Sequence, residues 1–172
     1  MKFSEIKYFD VANGTGIRTS LFVSGCTHHC KGCFNEVTWD FDYGEPYTEE
    51  IEERIIKSLE PSYVTGLTLL GGEPMELVHQ PYMLSLCKKV KEKYKDKTIW
   101  CFTGYLFEEL LPEGKQSLKI TQELLSLIDV LVDGEFHLSE KDLTLKFKGS
   151  RNQRTINVPE TLKQNKIVLL EL

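Results

Sequence analysis

A chain of 172 residues, 41% of them hydrophobic, has the length of one globular domain, expected to span residues 1–172, and enough apolar material for its own core. Lys and Arg number 21 against 26 Asp and Glu, and the net charge of −5 argues against a general nucleic-acid binder. The opening MKFSEIKYFD is neither a basic leader nor an apolar run, and no later stretch reaches the roughly 18 to 20 apolar residues of a membrane span, so a cytoplasmic protein without a membrane partner is expected.

In chain order, Arg18 to Ser24 (RTSLFVS) has the pattern of a strand, and GCTHHCKGCFN follows it at once. Thr48 suits a helix cap, with Glu49 and Glu50 in the first turn and Ile51, Ile55 and Leu59 on one face before Pro61. Gly66 to Leu70 is a short apolar run closed by Gly71-Gly72, as in a buried parallel strand. Pro81 fits a first helical position, and Met83, Cys87, Val90 and Tyr94 form an apolar stripe that leaves the lysines between Lys88 and Lys97 on the solvated side. Thr98 to Phe102 is the next strand, Tyr105 to Leu111 a short helix stopped by Pro112, and Thr121 to Leu127 a helix leading into a strand at Ile128 to Val132. Beyond Phe136 the pattern loosens: Leu143 to Phe147 alternates like an edge strand, Arg154 to Val158 is extended, and Ile167 to Leu170 is a candidate last strand.

Alternating strands and helices predict an α/β fold built on a mostly parallel sheet. About five or six strands are too few for a closed eight-stranded barrel, so an open, partial α/β barrel is expected. In such folds ligands bind at the carboxyl ends of the strands. The cysteine loop, Gly71-Gly72-Glu73-Pro74, Thr103-Gly104-Tyr105 and Asp133-Gly134-Glu135 each follow a strand and are therefore expected to share one site.

Cys26, Cys30 and Cys33 have CxxxCxxC spacing, and a disulfide among three such close thiols would strand the third. Iron–sulfur clusters commonly take four thiolates, so three on one loop leave an iron of a four-iron cluster open to another ligand. A structural zinc site is the alternative, with His28 or His29 as fourth ligand. Zinc modules generally add a second ligand pair at a distance, and neither Cys87 nor Cys101 has a neighbouring ligand to form one. Those two cysteines instead fall on apolar positions of a helix and a strand.

CxxxCxxC followed by an aromatic, here Phe34, resembles the cluster motif of the radical S-adenosylmethionine superfamily. Together with Asn13-Gly14-Thr15-Gly16-Ile17-Arg18, LFVSGCTHHCKGCFN with Thr38-Trp39, LLGGEP, WCFTGY, DVLVDGEF and GSRNQR at Gly149 to Arg154, it resembles more closely the glycyl-radical-enzyme activases that serve anaerobic ribonucleoside-triphosphate reductase. One departure is NGTG, where many such activases read DGPG, so an aspartate role at position 13 does not carry over.

The resemblance implies a radical S-adenosylmethionine barrel and a 4Fe-4S cluster on Cys26, Cys30 and Cys33, with S-adenosylmethionine chelating the open iron. It also implies contact of Gly71, Gly72, Glu73 and Pro74 with the methionine amino group, and placement of Phe34 near the adenine with Asn35 beside it. Thr103 and Asp133 are implied near the S-adenosylmethionine carboxylate, in one related case around a monovalent cation; Arg18 and Glu135 are near the site by chain position. The implied partners are the large subunit of the anaerobic reductase, one of whose glycines is oxidised, and flavodoxin or ferredoxin as electron donor. His28 and His29 are variable positions in the resembled family and are left outside the cluster. The lysine run and the basic Lys146, Lys148, Arg151 and Arg154 are surface, with a docking role as the alternative. A small radical enzyme acting on a small molecule, and a non-catalytic zinc module, are the competing functions.

Overall fold

In the computed structural model, which describes residues 1–172, seven strands form one sheet. They are β1 (Lys2–Asp10), β2 (Ile17–Ser24), β3 (Glu45–Pro46), β4 (Val64–Gly71), β5 (Thr98–Phe102), β6 (Val130–Asp133) and β7 (Arg154–Asn157). The order is β3-β1-β2-β4-β5-β6-β7, with β2, β4, β5 and β6 parallel and β1, β3 and β7 antiparallel at the flanks. The sheet does not close, in agreement with the expected open α/β architecture, but it has more strands than the five or six expected.

Three helices, α1 (Glu49–Ser58), α2 (Gln80–Lys93) and α3 (Thr121–Leu127), form the crossovers between the parallel strands, and α4 (Val158–Gln164) follows β7. Thr48 Oγ1 accepts the Ile51 N–H at 3.3 Å, and acidic residues in that first turn complement the helix dipole. All four helices pack on one face of the sheet. There Leu21, Leu67, Leu69, Ile99 and Leu131 meet Ile55, Met83, Val90 and Leu124 in the main core. The period-two alternation of strands turns Trp100, Phe102, Val130 and Val132 to the other face, which carries no helix.

Arg18 lies on this second face, fully buried, and its guanidinium donates to Thr68 Oγ1 (2.8 Å), Leu67 O (2.8 Å), Thr98 O (2.9 Å) and Thr15 O (3.1 Å). It ties the amino ends of β2, β4 and β5. By strand rise it is about 20 Å from the cysteine end of β2, so its chain position near the motifs does not make it a site residue.

Three further expectations need correction. Leu143 to Phe147 is not a strand: Asp142 Oδ1 accepts from the Thr144 N–H and hydroxyl, folding the segment into turns, and Phe147 sits at φ 55°. Its alternation reflects Phe147 packing edge-on to Trp100 at 5.4 Å while Leu143 stays 88% exposed. Ile167 to Leu170 contributes only an isolated bridge between Ile156 and Leu169. The helix expected at Tyr105 to Leu111 is a single 3₁₀ turn over Phe107–Leu110.

Leu131, with no exposed surface, should lose about 2–5 kcal/mol of stability on truncation to Ala, whereas Leu143→Ala should stay within about 0.5 kcal/mol. Urea unfolding of the two variants checks this, and a larger loss for Leu143→Ala would contradict its exposed place in the turns after Asp142.

Candidate functional site

β2 ends at Ser24, and the cysteine loop then packs between two turns. The Gly25 N–H donates to Thr38 O (2.8 Å), the Cys26 N–H to Trp39 O (3.2 Å), and the Glu73 N–H back to Gly25 O (2.8 Å). Gly72 permits this approach: a Cβ there would lie 2.5 Å from the Gly25 oxygen. Cys26 is buried, Cys30 and Cys33 are half-buried, and all three thiols line a cavity of about 530 Å³ together with Gly71, Gly72 and Glu73. Burial pushes the Cys26 thiol up to about 12, and the neighbouring Glu73 and Glu76 charges add to the shift; a bound metal removes such a proton outright.

Glu73 is the hub of this end of the sheet. Only 1% of it is exposed, and Oε1 accepts from the Met75 N–H (2.8 Å) and the Thr103 hydroxyl (2.8 Å). Oε2 accepts from the Gly104 N–H (2.7 Å) and lies 2.9 Å from His28 Nε2. The other ring nitrogen of His28 is 2.8 Å from Glu135 Oε1, so both nitrogens face carboxylates and both carry protons. Burial disfavours the charged ring, but Glu73 and then Glu135 outweigh it and raise His28 to about 9. The side chain of His28 is 8% exposed and its ring lies 4.3 Å from that of Tyr105. Thr27 anchors the start of the same loop, its N–H (2.8 Å) and hydroxyl (2.6 Å) both donating to Glu76 Oε1.

His28, left outside the cluster on the sequence, is therefore a built part of the site, as are Thr27, Glu76 and Tyr105. No local pattern marks it: its two carboxylate partners, Glu73 and Glu135, lie 45 and 107 residues away, at strand ends that only the fold brings together. His29 sits apart, stacked on Trp39 at 4.5 Å. His28 has no free nitrogen for the thiols, because both of its ring nitrogens are engaged.

The other expected residues divide. Thr103 lines the cavity, its hydroxyl held on Glu73, and Phe34 stands at the rim with 85% of its surface exposed. The Asn35 N–H points at Cys33 Sγ (3.4 Å), while its side chain borders a second hollow of about 420 Å³ that shares Phe34 and Asn13 with the first. Pro74 is buried and does not line the cavity. Asp133 also does not. It is one residue beyond Val132, so strand alternation turns it to the helix face, where it accepts from the Phe107 N–H (2.8 Å) and pairs with Arg154 Nε (2.9 Å). A cation shared with Thr103 has no support there.

Two motifs are structural staples. In GSRNQR, Gln153 Oε1 accepts from the N–H groups of Gly149 (2.8 Å) and Ser150 (3.1 Å), and its Nε2 donates to Gly134 O (2.9 Å). This holds the carboxy-terminal loop over the cavity. In NGTG, Asn13 Nδ2 donates to Asp10 Oδ2 (2.7 Å), so an aspartate at position 13 would set two carboxylates against each other. The lysine run is largely engaged within the chain, Lys88 with Glu123, Lys89 with Glu52 and Lys91 with Asp129, and Lys97 is buried on the Pro61 and Val64 carbonyls. Cys87 and Cys101 are fully buried core residues.

The parallel sheet carries its thiols around a cavity at its carboxyl edge, and the family model described as "4Fe-4S single cluster domain" matches residues 12–156. The chain is 43% identical over 155 residues to the anaerobic ribonucleoside-triphosphate reductase-activating protein of Vibrio cholerae, covering 89% of this chain and 96% of that protein. It is 40% identical over 152 residues to the protein of that name from Pasteurella multocida, covering 86% and 93% of the two chains. The namesake from Enterobacteria phage T4 is 38% identical over 156 residues, 90% of this chain and 92% of that one. The chain belongs to the family of anaerobic ribonucleoside-triphosphate reductase-activating proteins.

Burial opposes ionisation of Asp10, but hydrogen bonds from Asn13, Ser20 and Ala12 outweigh it and hold the carboxyl below the usual aspartate range. A depressed carboxylate stabilises the fold above its unfolded pKa, and the contribution disappears as pH falls through the folded value. Asp10→Asn should accordingly flatten the loss of stability below about pH 4, measured by chemical denaturation of the metal-free protein at stepped pH. An acid limb as steep as that of the parent would contradict the bonding at Asp10.

Proposed function

We propose that this chain is a radical S-adenosylmethionine activase of anaerobic ribonucleoside-triphosphate reductase, working as one domain over residues 1–172 in the cytoplasm. The observation that carries the reading is the shared cavity, where three thiols face the backbone of Gly71-Gly72 at the carboxyl ends of parallel strands. The names of the relatives supply the target. No helix is long and apolar enough to cross a membrane, and the acidic balance favours a protein partner over nucleic acid.

The donor set fits a cluster. Cys26, Cys30 and Cys33 come from one loop and line one cavity, and three thiolates leave one iron of a four-iron cluster open to another ligand. A reduced 4Fe-4S cluster held by Cys26, Cys30 and Cys33 would pass one electron, received from flavodoxin or ferredoxin, to the sulfonium of S-adenosylmethionine, whose carbon–sulfur bond would break to methionine and the 5′-deoxyadenosyl radical needed to take hydrogen from a glycine of the reductase.

The chain's own residues hold and shield these groups. Cys26, Cys30 and Cys33 are the thiolate ligands, and the Cys26 thiol, whose ionisation burial opposes, gives up its proton on metal uptake. Gly71 and Gly72 line the cavity and are the backbone that would meet the ammonium, while their missing side chains let the turn pack on β2 and the cysteine loop. Glu73 is already saturated by four donors, so its part is to fix the turn rather than to bind the ammonium itself, and Thr103 holds it. Phe34 and Asn35 form the outer rim. Leu70, Phe102, Val132 and Phe147 give the cavity an apolar inner wall that excludes water from a radical site.

Anaerobic mixing of the reconstituted protein with the reductase large subunit, S-adenosylmethionine and reduced flavodoxin should produce a glycyl-radical paramagnetic resonance signal, lost to background in Cys30→Ala. Radical formation that survives Cys30→Ala would sink the proposal. Turnover of a small molecule with no reductase present would favour the small-molecule reading instead.

A further inference from the structure

His28 touches the turns after β4, β5 and β6 together. Its Nε2 meets Glu73 after β4, its ring lies over Tyr105 and against Gly104 after β5, and its Nδ1 meets Glu135 after β6. A Cβ at Gly104 would fall 2.6 Å from the ring, so the chain leaves a slot of the width of that imidazole. Both ring nitrogens are committed to carboxylates, which removes His28 from the ligand set and gives it a mechanical role.

From this contact set we infer that His28 is a positioning residue that clamps the cysteine loop to the Glu73 and Glu135 turns and so fixes the separation between the thiols and the Gly71-Gly72 backbone. The inference rests on the proposed function, in which the cluster and S-adenosylmethionine occupy those two places. Thr27 already anchors the start of the loop on Glu76, so loss of the ring leaves the loop attached but free to move across the cavity. Outer contacts that orient ligands in this way typically change affinity by about 10- to 100-fold when removed.

Two measurements test the clamp. In the reconstituted holoprotein, His28→Ala should keep the iron content of the parent and bind S-adenosylmethionine at least about 10-fold more weakly by equilibrium dialysis. Glu135→Gln, at a half-exposed position where folding is not at risk, should give a smaller loss, and the double variant should be no weaker than His28→Ala alone. In the metal-free proteins, hydrogen exchange should accelerate in residues 25–35 and 133–136 of both variants while distant core segments stay protected. Parental S-adenosylmethionine affinity in His28→Ala, or strictly additive losses, overturns the inference. If the parent itself carries a cluster but binds no S-adenosylmethionine, the proposed function fails instead, and unchanged exchange in residues 25–35 then overturns the clamp on its own.

Discussion

A carboxylate with almost no access to water must be met by donors from the protein, and the Glu73 carboxylate imposes that condition on the whole carboxyl edge of the sheet. Its four partners come from four places: its own turn at Met75, the hydroxyl of Thr103, the backbone of Gly104 and the ring of His28 in the cysteine loop. Satisfying one buried charge thus brings the ends of β2, β4 and β5 into contact, and Glu135 extends the arrangement to β6 through the same ring. The cysteine loop joins this network through His28 and is held beside it by the backbone bonds of Gly25 and Cys26 to the Thr38-Trp39 turn.

A second constraint is the two-residue period of the strands. Helices cover one face, so residues on the other form the wall of an open trough whose floor at the amino end is filled by Arg18 and Trp100. The loop at 141–149, held by Gln153, covers part of the trough and narrows it to the thiol-lined cavity. The same period explains why neighbouring residues have unrelated work: Val132 lines the cavity, whereas Asp133 faces the helices and ties β6 to Arg154.

Where local chemistry decides structure, the sequence is informative. Thr48 with its acidic turn, Pro81 at the start of α2, and the apolar run closed by Gly71-Gly72 all appear as elements within a residue or two of where they were expected. The cysteine spacing likewise pointed to the cavity. β1 escaped notice because it is largely exposed toward the sheet edge and mixes charges with aromatics, so its alternation is weak. Leu143 to Phe147 mimicked a strand because alternate residues face the trough without any partner strand. The roles of His28 and Asp133 depend on which strand ends meet and which way a strand's last residue points, properties that belong to tertiary packing and leave no local pattern.

The central claim is that Cys26, Cys30 and Cys33 hold a four-iron cluster with one iron open to S-adenosylmethionine. Metal analysis and paramagnetic resonance of the anaerobically reconstituted, reduced protein test it most directly. The account predicts about four irons per chain and a cluster spectrum that changes when S-adenosylmethionine is added. Stoichiometric zinc without iron, or a cluster spectrum indifferent to S-adenosylmethionine, would contradict it.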